Sequence, residues 1–219
     1  GNKAQISRGE RQLQLAELTL GKPGEALDER QYTELQLIAE LDGLRLFSKP
    51  GQYGWNKIDA GSAHLIDCLR QQLDAGVPMP ASALDLGCGY GYLALQAARL
   101  GIPFITATDN NAAAVRSCQH NFSVNQVQGE VMADDCATNI QRQFDLVLCN
   151  PPFHRGFETE QALTQKFVQS ALRHLKKEGW ALFVVNHFIP LEVVAAPYFH
   201  AVELLWRDRQ FKVFKLSGS

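Results

Sequence analysis

Two spacings of apolar residues alternate through much of the chain. Ala83 to Leu86, Phe104 to Thr108, Phe144 to Cys149 and Trp180 to Val185 are short, nearly continuous apolar runs. Such runs mark strands buried on both faces. Between them, Tyr92 to Leu100, Ala112 to Asn121 and Thr164 to Leu175 read as helices. Glu130 to Ala133 adds a further strand, and Gly179 is expected to end the helix before Trp180. Strands alternating with helices predict an α/β fold with a mostly parallel sheet, right-handed crossovers and helices on both faces.

The flanks read differently. Tyr32 to Glu40 and Leu44 to Ser48 surround Leu41-Asp42-Gly43, a β-hairpin pattern. Pro50-Gly51 and Gly54 then make a loop. Asp59 can cap a helix from about Ala60 to Ala75, with Leu65, Ile66 and Leu69 on one face. Near the end, Ala201 to Trp206 and Gln210 to Leu216 flank Arg207-Asp208-Arg209, which predicts an antiparallel hairpin at the sheet edge. Residues 1–30 are mixed and poorly periodic, and Gly21-Lys22-Pro23-Gly24 breaks any helix there. The start, Gly1-Asn2-Lys3, has neither an initiator Met nor a signal-peptide core, and reads as a cut in a longer protein. Residues 1–43 are expected to be an N-terminal extension or the remnant of a preceding domain, and 44–219 the main domain.

Composition narrows the classes. A chain of 219 residues, 46% hydrophobic, can bury one full core. No apolar run is long enough to span a bilayer. Cys68, Cys88, Cys118, Cys136 and Cys149 are odd in number and form no C-x-x-C pair, so a disulfide framework or zinc cluster is not expected and a cytoplasmic location is. His64, His120, His174, His187 and His200 show no metal-ligand spacing, so no metal is expected. A net charge of −2 does not favour a protein that coats nucleic acid generally. The basic residues near the end, including Arg207 and Arg209, form either a solvated face or a weak RNA-facing patch.

In parallel sheets ligands sit beyond the carboxyl ends of the strands. The candidate chemistry falls there. In "LDLGCGYGYL" a buried strand feeds Gly87, Gly89 and Gly91, and then a helix. Glycines permit a sharp turn and close approach of a ligand to the backbone. The third glycine arrives one residue earlier than in the dinucleotide fingerprint. Asp85, two residues before the first glycine, suits a positively charged ligand; S-adenosylmethionine carries an ammonium and a sulfonium. Asp109 ends the next strand, 24 residues on. It can accept from ribose hydroxyls or cap the following helix. Asn110 is a candidate neighbour of the adenine. Asp134 follows the third strand and can accept from an adenine amino group, although Asp134 and Asp135 are also turn formers.

"LVLCNPPFHRG" is the last site. Pro151 and Pro152 fix the backbone after Asn150 and hold its amide and the Pro151 carbonyl in one direction. An exocyclic amine on a base is a poor nucleophile because its lone pair is delocalised into the ring. Two oxygen acceptors on its N–H groups favour a pyramidal nitrogen and aim the lone pair at a methyl donor. Phe153 can stack on the base, worth about 1–3 kcal/mol. His154 and Arg155 are either solvated loop or contacts to phosphate or a base edge.

"LDLGCGYG", "TDNN" and "NPPFHRG", in this order, resemble a class I S-adenosylmethionine-dependent methyltransferase of the N-P-P-[FY] type. "PGQYGWNKIDAGSAHL", "NPPFH" and "RQFKVFKL" are similar to the ribosomal RNA guanine-N2 methyltransferases of the small-subunit methyltransferase C and large-subunit methyltransferase G group. The resemblance covers roughly residues 44 to 216. It implies a Rossmann-like seven-stranded fold, S-adenosyl-L-methionine as cofactor, and methylation of a guanine amino group in ribosomal RNA or a ribosomal subunit. It places Asp85, Gly87, Gly89 and Gly91 in the methionine-binding loop and Asp109 at the ribose. Asp134 matches the position after the third strand, Asn150 to Phe153 the catalytic tetrapeptide, and the Pro50-to-Gly61 stretch borders the site. Members of this group usually carry a further N-terminal domain, and the loop around Trp55 is expanded here. Release-factor glutamine-N5 methyltransferases and adenine-N6 enzymes share the N-P-P-[FY] corner, so the corner leaves these substrates open. A catalytically silent cofactor- or RNA-binding module is the non-enzymatic alternative. Nothing in the sequence fixes an oligomeric state.

Overall fold

The structure, a computed structural model, describes residues 3–8, 14–19, 31–152 and 157–218. The chain divides into two units, Gly1–Gln31 and Tyr32–Ser219. In the first, β1 (Lys3–Arg8) pairs antiparallel with β2 (Gln14–Thr19), Lys3 opposite Thr19. This pair lies in a stretch whose mixed composition predicted no regular element.

The second unit begins with the hairpin of β3 (Gln36–Leu41) and β4 (Leu44–Ser48). Asp42 and Gly43 both have positive φ, 54° and 79°, as a two-residue hairpin turn of primed type requires. The outer edge of β4 is closed by side chains. Asn121 brackets the N–H and C=O of Phe47, and Asn125 those of Arg45, at 2.8–2.9 Å. Two strand residues span about 6.8 Å and four helical residues about 6 Å, so amides four apart on one helix can serve alternate strand residues.

The main sheet takes β5 (Ala83–Leu86), β6 (Ile105–Asp109), β7 (Gly129–Ala133), β8 (Phe144–Cys149), β9 (Leu175–Asn186), β10 (Ala201–Arg207) and β11 (Phe211–Ser217). Their order is β10-β11-β9-β8-β5-β6-β7. The pairs from β9 to β7 are parallel, and β11 pairs antiparallel with both β9 and β10. The seven-stranded, mostly parallel sheet with a terminal antiparallel hairpin is the expected architecture. Helices α1 (Ala60–Asp74), α2 (Tyr92–Arg99) and α3 (Ala112–Val124) cover one face. Helices α4 (Phe157–His174) and α5 (Leu191–Ala195) cover the other. Alternate strand residues sort accordingly: Ala83, Leu146, Leu148, Leu182 and Val184 pack toward the first layer, and Leu84, Leu86, Val147, Phe183 and Val185 toward the second. Each fully buried Leu contributes about 1.5–3 kcal/mol of hydrophobic stabilisation.

One expectation needs correction, and one short element was not expected. Gly179 does not end α4, which stops at His174. It lies inside β9, where the register against β8 jumps between the pairs Phe144–Leu175 and Leu146–Trp180. A Cβ on Gly179 would stand 2.9 Å from the Phe144 carbonyl oxygen, so glycine is there to let two backbones close. Helix α5 follows Pro190 and is only five residues long, too short to show a period.

The sheet winds outward in both directions from β5 and β8. Loops leaving the carboxyl ends of these neighbours go to opposite faces, which opens a crevice between them.

Candidate active site

That crevice is a cleft of about 350 Å³. It gathers Gly87 and Gly89 after β5, Asp109 and Asn110 after β6, Asp134 after β7, and Asn150, Pro151 and Pro152 after β8. Gln52, Tyr53 and Asp59 close it from the loop ahead of α1. Strand-end residues from Gly87 to Pro152 therefore face one space. Phe153, His154 and Arg155 lie outside the described residues.

The glycine loop is built on backbone bonds. The N–H groups of Gly87 and Cys88 both donate to the Thr108 carbonyl, at 2.9 and 2.8 Å. Gly87, Gly89 and Gly91 all have positive φ, at 81°, 55° and 91°. Their reasons differ. A Cβ on Gly91 would sit 2.6 Å from Cys118 Sγ, so this position is closed by packing. A Cβ on Gly89 would have no atom within 4 Å, so this position presents open backbone to the cleft.

Asp85 is not on the cleft wall. It is 1% exposed, and its Oδ2 accepts from Ala94 N at 3.0 Å. Helix α2 begins at Gly91 with no side-chain cap of its own, so Asp85 caps it from the adjacent strand. Its Oδ1 is buried with no hydrogen-bond partner among the described residues. Burial pushes the Asp85 carboxyl up from its ordinary 3.8 to about 7; the Ala94 N–H opposes this and the negative Asp109 adds to it.

The consequence for stability has a definite sign. A raised carboxyl holds its proton in the folded state over a range where the unfolded chain has released it. The resulting penalty is absent below the unfolded value of 3.8 and complete above about 7. Asp85→Asn retains an oxygen for Ala94 N but cannot ionise. Its stability relative to wild type should rise by about 2–3 kcal/mol between pH 5 and pH 8. Thermal melts at both pH values check this, and a constant offset would refute the buried charge.

Asp109 does not cap α3. That cap is Asn111, whose Oδ1 accepts from Ala113 N at 2.8 Å and whose Nδ2 donates to the Gly51 carbonyl at 2.9 Å. Asp109 instead binds the two neighbouring loops, accepting from Gly89 N at 2.9 Å and Asn111 N at 2.8 Å. Each carboxylate oxygen keeps a further lone pair. Asp134 is buried, and its two oxygens accept from Thr138 N and Asn139 N, both at 2.9 Å. Its carboxylate thus does the work of a turn former. Asp135, exposed, pairs with Lys166. Asn110 stands on the cleft wall beside them.

Asn150 is held by groups that sequence reasoning did not connect to it. Its Nδ2 donates to Asp59 Oδ2 and to Ser62 Oγ, both at 2.8 Å. Asp59 is also the N-cap of α1, accepting from Ser62 N at 2.8 Å. Asp59 and Asn150 are 91 positions apart. The local signal was Asp59-Ala60-Gly61-Ser62, a capped helix start with a small residue facing the Phe211 ring.

The remaining cleft groups are quiet. The neighbouring Cys118 thiol, followed by burial, holds the Cys88 thiol well above its ordinary range, which leaves it a small filler and no nucleophile. Among the described residues no cluster of His, Cys, Asp and Glu is arranged to hold a metal ion, and no helix is long and apolar enough to cross a membrane.

Comparison with known proteins agrees with this geometry. The family model described as Methyltransferase small domain matches residues 43–215. Ribosomal RNA small subunit methyltransferase C of Haemophilus influenzae (strain PittGG) is 33% identical over 179 residues, covering 81% of this chain and 52% of that protein. The protein of the same name from Aeromonas hydrophila is 32% identical, covering 89% and 56%. A T. thermophilus 16S rRNA N2 guanine methyltransferase, solved with AdoMet and guanosine, superposes with a TM-score of 0.79 at 26% identity, over 99% of this chain and 58% of that one. The chain spans about half the length of the curated relatives it matches. On the family match over residues 43–215, the chain belongs to the methyltransferase small domain family.

Proposed function

We propose that this chain is the catalytic part of a cytoplasmic, S-adenosylmethionine-dependent methyltransferase that modifies the exocyclic N2 amine of a guanine in ribosomal RNA. Residues 44–219 carry the transfer, and residues 1–43 are an N-terminal extension or the remnant of a preceding domain. The observation that carries the reading is that Asn150, Pro151 and Pro152 share one cleft with the open backbone at Gly89. The curated relatives and the bound guanosine of the T. thermophilus enzyme supply the substrate class.

The cleft fits S-adenosylmethionine. Open backbone at Gly89 leaves room for the methionine part, with Gly87 shaping the turn. Asp109 has lone pairs left for ribose hydroxyls, and Asn110 stands where the adenine would lie. Asp85 acts from beneath as the cap of α2 behind the glycine loop, and Asp134 as the brace of the wall. When bound, this cofactor supplies an electrophilic methyl group on a sulfonium.

The chain's own part is alignment. The Asn150 oxygen and the Pro151 carbonyl accept the two amino hydrogens of the base, and the sequence offers Phe153 as its stacking partner. Localising the nitrogen lone pair and fixing its direction lowers the entropic part of the barrier. The target base leaves its stack to reach the cleft. The rim is divided in charge. Asp109 ends β6 and Asp134 and Asp135 follow β7, whereas exposed Arg207 and Arg209 flank the turn ahead of Phe211, on the cleft wall. That turn gives RNA phosphates a landing point beside the acceptor corner.

The test is transfer of labelled methyl from S-adenosylmethionine to extract of a strain lacking the protein, followed by identification of the labelled molecule. Label in ribosomal RNA as N2-methylguanine is expected. Label in a release-factor glutamine, or none, would overturn the assignment.

A further inference from the structure

An asparagine amide has two donors on nitrogen and acceptor capacity on oxygen, and its two ends are similar in shape. Which end faces a substrate is therefore decided by the surroundings. Here both Nδ2 hydrogens are engaged, one by Asp59 Oδ2 and one by Ser62 Oγ. The reverse orientation would set the amide oxygen against the Asp59 carboxylate, acceptor against acceptor. The network leaves Oδ1 as the end that faces the cleft reactants.

The Asp59 bond also acts on the amide electronically. A carboxylate accepting from an amide N–H favours the resonance form with negative charge on oxygen, and hydrogen bonds linked in this way strengthen one another. The mount is rigid. Asp59 Oδ2 is fixed by Ser62 N in the first turn of α1, and Ser62 is itself buried. Gly61 lets this turn lie close to the Phe211 ring, with only 3.1 Å between the ring and a would-be Cβ.

We propose that Asp59 and Ser62 are positioning residues: they lock Asn150 in the orientation that presents Oδ1 to the substrate amine, and Asp59 lends that neutral oxygen negative charge. The inference rests on the reading of Asn150 as the acceptor for an amino nitrogen.

Asp59→Asn tests it without removing the helix cap, since asparagine caps as well as aspartate. With labelled S-adenosylmethionine and unmodified ribosomal RNA, kcat should fall by about 10- to 100-fold, the scale on which supporting partners of a site residue act. KM for both substrates should stay within about two-fold. Ser62→Ala should lower kcat by about 10-fold on the same grounds. A second readout needs no turnover. The Asn150 side-chain amide, identified in nitrogen-15 spectra by its loss in Asn150→Ala, should show two distinct, exchange-protected hydrogens in wild type. In Asp59→Asn at least one should shift toward the position of a free asparagine. Unchanged kcat in Asp59→Asn, or a wild-type Asn150 amide that exchanges like a free one, would overturn the proposal. Protected hydrogens in a protein that transfers no methyl to RNA would leave the lock standing and sink the substrate reading instead.

Discussion

Asn150→Ala should lower kcat for methyl transfer by about 100- to 1,000-fold, the scale set by removing one preorganised hydrogen-bonding group aimed at a transition state. S-adenosylmethionine affinity should stay within about two-fold, because the two halves of the cleft are held independently. The glycine loop is fixed by Thr108, Asp109 and its own turn bond from Gly91 N to the Cys88 carbonyl, none of which involves Asn150. Truncation does strip Asp59 and Ser62 of a donor, but Asn150 and Asp59 line an open cleft where water can replace it. Global stability should therefore shift by no more than about 1 kcal/mol. Asn150→Asp is the informative companion. It sets a second carboxylate where the amide met Asp59 at 2.8 Å, and like charges at that distance cannot both ionise. Its activity should be as low as that of the alanine variant. Calorimetry for the cofactor and single-turnover transfer read both quantities. Retained turnover in Asn150→Ala would show that the amide is not the group that aligns the amine.

How much of this was legible depended on whether a residue acts through its own backbone or through a distant partner. Gly87, Gly89, Pro151 and Pro152 dictate local backbone, so their placement after apolar runs already located the cleft rim. The two-face burial of β5 and β8 was equally plain, because no polar residue other than Asp85 and Asp145 interrupts them. Gly179 misled because a glycine after a helix and a glycine inside a bulge look the same without the partner strand. The β1–β2 pair was missed because Lys3–Arg8 and Gln14–Thr19 mix polar and apolar residues. Among site residues, Asp134 and Asp85 were each read as ligand-facing; both oxygens of Asp134 and one of Asp85 accept from backbone N–H groups as well. A carboxylate at a strand end serves either purpose, and only the path of the following chain decides. The bond from Asn150 to Asp59 was illegible for the same reason: it exists only because the start of α1 sits beside the end of β8.

Gly89 and Gly91, two residues apart, should fail in opposite ways when given a methyl group. Gly91→Ala carries the cost of an L-residue in the left-handed region, about 1–2 kcal/mol. It also drives a Cβ to 2.6 Å from Cys118 Sγ, inside a fully buried part of α3. Overpacking of this kind adds about 1–3 kcal/mol. For a domain of this size each kcal/mol lowers Tm by roughly 2–4 °C, so a drop of about 4–20 °C is expected. Placing Gly91→Ala in a Cys118→Ala background removes the sulfur and leaves the nearest Cys118 atom, Cβ, at an ordinary 3.5 Å. The penalty of the glycine change measured there should shrink to its backbone part. Gly89→Ala carries only that backbone part, because its Cβ enters open cleft. What it takes is space a ligand needs: S-adenosylmethionine affinity should fall at least about 10-fold, or 1.4 kcal/mol, in a protein that melts within about 8 °C of wild type. Cofactor bound as tightly by Gly89→Ala as by wild type would place the methionine part elsewhere. A Gly91→Ala penalty untouched by loss of the Cys118 sulfur would mean that the left-handed backbone, and not the contact with α3, is what demands glycine there.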